Sequence, residues 1–155
     1  MDKPGYCILI ADRNRNIRSF LKRELTAAGH RVHVAETGKH LIQLLYDAIR
    51  PDLLVLDPDF PDIELAVLTT KLQDRIPPLP VIVHALDLDM LSGLPLKWRD
   101  TAVEKNASSV EVLKIRIPQV LAPTATPQSC PEATDVSGDA THAPQPEPSK
   151  FTAIV

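Results

Sequence analysis

The sequence predicts an α/β fold, a doubly wound five-stranded parallel sheet with helices on both faces, on three observations. Five short apolar runs, at 6–11, 31–35, 53–56, 81–85 and 102–104, alternate with longer stretches whose apolar residues recur at helical spacing. The first and third runs are apolar throughout, as strands buried on both faces must be. Asp12, Asp57 and Lys105 directly follow the first, third and fifth runs. Carboxyl ends of parallel strands share one edge of a sheet, so these three charges are expected to converge there.

The elements follow in order. After the first strand, Ile17, Phe20, Leu21, Leu25 and Ala28 mark the apolar side of a helix, and Gly29 supplies its stop. Arg13, Arg15, Arg18, Lys22 and Arg23 are read as the solvated face of that helix, not as a nucleic-acid patch. Residues 31–35 form the second strand, with Val32 and Val34 on one face. Leu41, Ile42, Leu44, Leu45 and Ala48 mark a second helix, which ends before Pro51. Leu53–Leu56 is the third strand. Residues 63–72 are helical, with Asp62 as the expected N-cap. Pro77, Pro78 and Pro80 introduce the fourth strand, Val81–Ala85, and Pro95 shortens any helix within 87–100. Residues 102–104 make a short fifth strand. Ser108 and Glu111 form a capping-box pattern that opens a last helix carrying Val112, Leu113, Ile117, Val120 and Leu121, with a kink expected near Pro118.

The chain has 155 residues, 44% hydrophobic, enough for one core and too few for two. A formal net charge of -3 shows no footprint of a nucleic-acid binder. Composition shifts near residue 122. Residues 122–150 are mainly Pro, Ala, Thr, Ser, Gln and acids, and are expected to be disordered because they cannot bury enough apolar surface to offset the entropy of ordering. Residues 151–155, Phe-Thr-Ala-Ile-Val, turn apolar again. The expected organisation is a domain over 1–121, a tail over 122–150 and a short apolar segment over 151–155. Cys7 and Cys130 belong to no Cys-x-x-Cys pair, so neither a zinc site nor a disulfide framework is expected. No basic region precedes a long apolar stretch at the N-terminus, which points to a cytoplasmic protein without a membrane span.

Several motifs resemble those of response-regulator receiver domains. Ile8-Leu-Ile-Ala-Asp12 is similar to the first strand and acidic cluster of that family. Pro51-Asp-Leu-Leu-Val-Leu-Asp57, followed by Pro61, resembles the phospho-acceptor strand and the loop after it. Pro80-Val-Ile-Val83 resembles the fourth strand, and Lys105 after Val103 and Glu104 matches the family's lysine. The resemblance spans residues 6–121. It implies a flavodoxin-like sheet and a non-enzymatic signalling role in two-component phosphorelays. By that resemblance Asp57 accepts a phosphoryl group from the phosphohistidine of a histidine kinase or phosphotransfer protein. Asp12, Asp57 and the carbonyl of Asp59 hold Mg²⁺, and Lys105 pairs with Asp57 or with a phosphoryl oxygen.

The chain departs from the family's pattern at four places. Arg13 stands where a second acid adjoins Asp12, and either points to solvent or pairs with Asp57 or Asp12. Ala85 replaces the Thr or Ser that ends the fourth strand. His84, beside it, is expected to face the other way and so to be a poor substitute. Ala102 takes the place of the aromatic switch residue, and Asn106 the place of the proline after the lysine. Asp59 adds a carboxylate near the site, or is an exposed loop acid.

Three functional readings follow. The first is a stand-alone receiver that accepts phosphate on Asp57 and signals by contact with an output protein. The second is a pseudo-receiver, a docking module in which Arg13 serves as a built-in cation in place of Mg²⁺. The third is a haloacid-dehalogenase-like phosphatase, suggested by Asp57-Pro-Asp59, although that motif belongs on a first strand and needs more chain after it. Residues 151–155 are candidates for a docking peptide that binds a sheet edge or folds back on its own domain. No nucleic-acid or membrane partner is expected.

Overall fold

Strands and helices alternate along the chain: β1 Cys7–Ala11, α1 Arg15–Ala27, β2 Arg31–Ala35, α2 Gly38–Gln43, β3 Leu53–Leu56, α3 Leu65–Gln73, β4 Val81–Ala85, α4 Leu96–Asp100, β5 Val103–Glu104 and α5 Ser109–Leu121. The computed structural model describes residues 5–121, so the readings for 122–150 and 151–155 lie outside the described residues. All five strands are parallel and join one sheet in the order β2-β1-β3-β4-β5. The chain changes direction of winding between β1 and β3, which opens a crevice at their carboxyl ends.

Alternation along each strand divides the core in two. Ile8, Ile10, Val32, Leu53, Val55, Ile82 and Val103 face α1 and α5, where Leu21, Leu25, Leu113 and Ile117 meet them. Leu9, Leu54, Leu56, Val81 and Val83 face the other way, against Leu41, Leu45, Leu68, Leu72 and Trp98. Each fully buried Leu or Ile contributes about 1.5–3 kcal/mol through removal of apolar surface from water. The sequence pattern for β1, β2, β3 and β4 therefore matches the sheet.

The helices differ from expectation in instructive ways. Asn14 caps α1, its side chain accepting from the amides of Asn16 and Ile17, and Gly29 ends it at a φ of 99°. Phe20, placed by its spacing on the apolar side, is 40% exposed, with the Arg23 guanidinium over its ring at 5.4 Å. The second helical stretch is α-helical only to Gln43 and continues as a π-helical turn, Leu44–Ala48, before Ile49 turns extended. Asp62 is not a cap. It adopts a left-handed φ of 67°, and α3 starts at Leu65 after Glu64, which makes no side-chain capping bond. Gly38 explains that loop's course. A Cβ on Gly38 would lie 2.9 Å from the Asp62 carbonyl oxygen and 3.0 Å from the Ile63 Cβ.

Pro95 stands at the N-cap of α4, which runs five residues, and a 3₁₀ turn, Leu88–Met90, precedes it. In α5 the buried stripe is Val110, Leu113, Ile117 and Leu121, while Val112 is exposed, and the helix continues through Pro118. Ahead of α5 the side chain that holds the turn is Asn106, whose Oδ1 accepts from the Ser108 amide at 2.8 Å. Cys7 is buried at the start of β1 and is disulfide-bonded, which corrects the expectation of no disulfide; its partner lies outside the described residues. Among the described residues no helix is long and apolar enough to cross a membrane.

Candidate functional site

Three buried charges meet where β1, β3 and β5 end. Asp57 continues β3, its amide donating to the Ala11 carbonyl at 2.8 Å, and its side chain is 2% exposed. Asp12 continues β1 and is equally buried. Lys105 follows β5, its amide fixed to the Ala85 carbonyl at 2.7 Å. The Lys105 Nζ lies 2.9 Å from Asp12 Oδ2 and 3.2 Å from Asp57 Oδ2. The remaining carboxylate oxygens take backbone donors. Asp12 Oδ1 accepts from the Asn14 amide at 2.8 Å, and Asp57 Oδ1 accepts from the Asp59 amide at 3.0 Å. Burial raises the Asp12 pKa above the ordinary carboxylate value. The Asn14 amide and Lys105 pull it back, and Asp57 adds to the rise.

Arg13 turns toward this cluster and not to solvent alone. Its amide donates to Asp57 Oδ2 at 3.3 Å, its Nε lies 3.7 Å from the same oxygen, and its terminal nitrogen lies 3.7 Å from Asp59 Oδ2. Asp59 itself is an open side chain, 65% exposed. It stands at the rim with Arg13, while Asp12, Asp57 and Lys105 form the floor.

Two residues contradict their sequence readings. Arg18 is buried, not part of a solvated face, and its guanidinium donates to the Asp12 carbonyl at 2.8 Å. The available signal was spacing, because Arg18, Leu21 and Leu25 share one helical stripe. His84 lies on the site's side of the sheet. Leu56 pairs with Val83, so Asp57 comes level with His84, and both fall on the α1/α5 face that holds Val55 and Ile82. Ala85 points into the opposite core. His84 is 2% exposed and neither ring nitrogen has a hydrogen-bond partner. Burial, then the Lys105 charge, pushes its pKa down to about 4 against an opposing pull from Asp57.

A family model described as the response regulator receiver domain matches residues 8–91, more than half of the chain. The chain belongs to the response-regulator receiver domain family. It is 31% identical over 111 residues to the transcriptional regulatory protein AfsQ1 of Streptomyces coelicolor, a match that covers 70% of this chain and 49% of that protein. The chain thus spans about half the length of the curated relative it matches. Among solved structures, the receiver domain of a Francisella response regulator has a TM-score of 0.66 at 24% identity, covering 78% of this chain and all of that one. The response regulator TrrA of Thermotoga maritima, solved in complex with Mg²⁺ and BeF, has a TM-score of 0.63 at 25% identity, covering 75% of this chain and 99% of that one.

The oxygens that would hold Mg²⁺ are those of Asp12 and Asp57, and Lys105 and Arg13 contact them as they stand. That ion demands near-octahedral oxygen ligands at about 2.0–2.1 Å. Here Asp12 Oδ1 and both Asp57 oxygens accept from backbone amides, while Asp12 Oδ2 is buried with no hydrogen bond and has only the Lys105 ammonium at 2.9 Å. Among the described residues, no group of three His, Cys, Asp or Glu side chains is arranged to hold a metal ion; Mg²⁺ commonly takes only one or two carboxylates with waters, and Asp12 and Asp57 are two. Chemically, the site is a buried carboxylate neutralised by two cations from the chain itself.

Proposed function

We propose that this receiver domain is a non-enzymatic, cytoplasmic signalling module of a two-component phosphorelay, and that Asp57 accepts its phosphoryl group. The observation that carries this reading is the buried Asp57 carboxylate with Lys105 at 3.2 Å and Arg13 at 3.7 Å. A carboxylate attacking an anionic phosphoryl group needs its charge neutralised, and two cations already stand where a metal would otherwise act. The donor is a phosphohistidine on a histidine kinase or phosphotransfer protein. Its P–N bond breaks, a P–O bond to Asp57 forms, and the imidazole leaves with the P–N electron pair. Lys105, as a buried point charge, holds the new phosphoryl oxygens, and the half-exposed Arg13 swings from Asp57 onto them. Output passes through protein contact, without nucleic acid or membrane.

One observation favours a second reading, a pseudo-receiver. Lys105 and Arg13 both contact the Asp57 carboxylate, so two cations of the chain already offset its charge without phosphate. Nothing comparable supports the phosphatase reading, because Asp59 faces outward onto Arg13 and Asp57 stands on the third strand.

Incubation with acetyl phosphate, in Mg²⁺ and separately in EDTA, followed by intact mass, separates the two. A one-phosphate adduct in both conditions, absent from Asp57→Asn, is the expected result. No adduct at saturating donor in either condition would overturn phosphate acceptance and leave the pseudo-receiver.

A further inference from the structure

On the edge of the sheet opposite the site, where β4 begins and α5 ends, lies a cleft of about 560 Å³. Pro80, Trp98 and Val120 give it an apolar wall, Lys97 and Arg116 two cations, and Asp100 one acid. Trp98 is 2% exposed, and its indole N–H finds no acceptor among the described residues. An indole nitrogen is a donor only, and leaving it buried and unpaired costs roughly 1–3 kcal/mol. An extended peptide across this cleft would lay an apolar side chain against its wall.

We propose that the occupant is the chain's own apolar segment, residues 151–155, docking in cis. Three observations point to it. Val120, in the last turn of α5, lines the cleft, so the chain leaves the domain at its rim. Cys130 is the chain's one other cysteine, so the Cys7 disulfide ties the tether to the start of β1, and the 20 residues from 131 to 150 span roughly 25 Å at coil dimensions, which keeps the segment within reach. Charge matches as well. Residues 1–121 hold sixteen acids and sixteen Lys or Arg, so the net charge of -3 belongs wholly to residues 122–155, where Glu132, Asp135, Asp139 and Glu147 face only Lys150. An anionic tail with an apolar end, Phe151 and Ile154, complements a cleft that carries two cations beside an apolar wall. Tethering supplies an effective concentration of order millimolar, so a weak peptide affinity suffices for occupancy. The proposal does not depend on the chemistry of Asp57.

Trp98 is the one tryptophan in the chain, so a ¹H–¹⁵N spectrum of the full-length protein contains a single indole resonance. The test compares the wild type with the double variant Phe151→Ser and Ile154→Ser, which leaves residues 1–150 unchanged. The expected result is a shifted indole resonance in the double variant, and a return toward the wild-type position when a synthetic peptide of residues 132–155, which carries all four acids of the tail, is added. Lys97→Glu, made in the double-variant background, should weaken that peptide's binding at least threefold. Coincident indole resonances with no response to peptide would overturn the proposal. A wild-type dimer on size exclusion that the double variant abolishes would also overturn it, because the segment would then dock on a second copy.

Discussion

Arg13 and Asp57 are joined twice: the Arg13 amide donates to Asp57 Oδ2 at 3.3 Å, and its guanidinium Nε lies 3.7 Å from the same oxygen. The backbone bond is a product of the β1–α1 turn and would survive most substitutions. The guanidinium places a cation where the family resemblance implies an acid.

Arg13→Asp therefore tests whether the Arg13 cation weakens Mg²⁺ binding. Unit charges about 4 Å apart interact by roughly 4 kcal/mol at an effective dielectric near 20, and the partial exposure of Arg13 reduces this. Replacing the cation with an anion beside Asp12 and Asp57 should tighten Mg²⁺ binding at least tenfold by calorimetric titration. Adduct formation from acetyl phosphate should become sensitive to EDTA in the variant. Equal Mg²⁺ affinities in the two proteins would remove Arg13 from the explanation.

Lys105→Met should destabilise the domain by about 3–5 kcal/mol at pH 7, because it leaves two buried carboxylates without their shared cation. The loss should shrink as pH falls toward 4. Burial raises the Asp12 pKa in the folded state, so its protonation contributes stability that is full below the ordinary value of 3.8 and lost as pH rises through the folded value. Removing Lys105 strengthens that linkage. Urea unfolding at pH 7 and pH 4.5 checks both the size and the trend.

The sheet was legible in the sequence because buried parallel strands are short and apolar throughout, and Asp12, Asp57 and Lys105 fell at its carboxyl edge for the same reason. What escaped was set by tertiary contact. Arg18 looks like one more surface cation until its helix face is seen to lie over the Asp12 carbonyl. His84 was assigned by alternation from Ala85, but the register with Asp57 decides which of the two faces the site. Asp62 has the chemistry of an N-cap, yet the contact of its loop with Gly38 carries the chain through a left-handed turn instead.

That contact makes Gly38→Ala a test of loop placement. The added Cβ would stand 2.9 Å from the Asp62 carbonyl oxygen, a backbone atom that cannot swing aside. Overpacking of this kind costs about 1–3 kcal/mol. The variant should lose stability within that range by urea unfolding, with the amide resonances of 60–64 displaced. Unchanged stability would mean the β3–α3 loop yields freely.

His84 gives the domain a pH dependence of opposite sign to that of Asp12. Its pKa falls from 6.5 to about 4, through burial first and the Lys105 charge second. The folded state thus binds this proton more weakly than the unfolded chain does. The neutral ring's contribution to stability is complete above pH 6.5 and is lost as pH falls toward 4, by up to about 3 kcal/mol. Measured against His84→Leu, the wild type should lose this increment between pH 6.5 and 4, and the imidazole resonances of His84 should stay those of a neutral ring at pH 5.5. A midpoint near 6.5 in the folded protein would show that the ring reaches water or an acceptor, and that its place beside Asp57 does not isolate it.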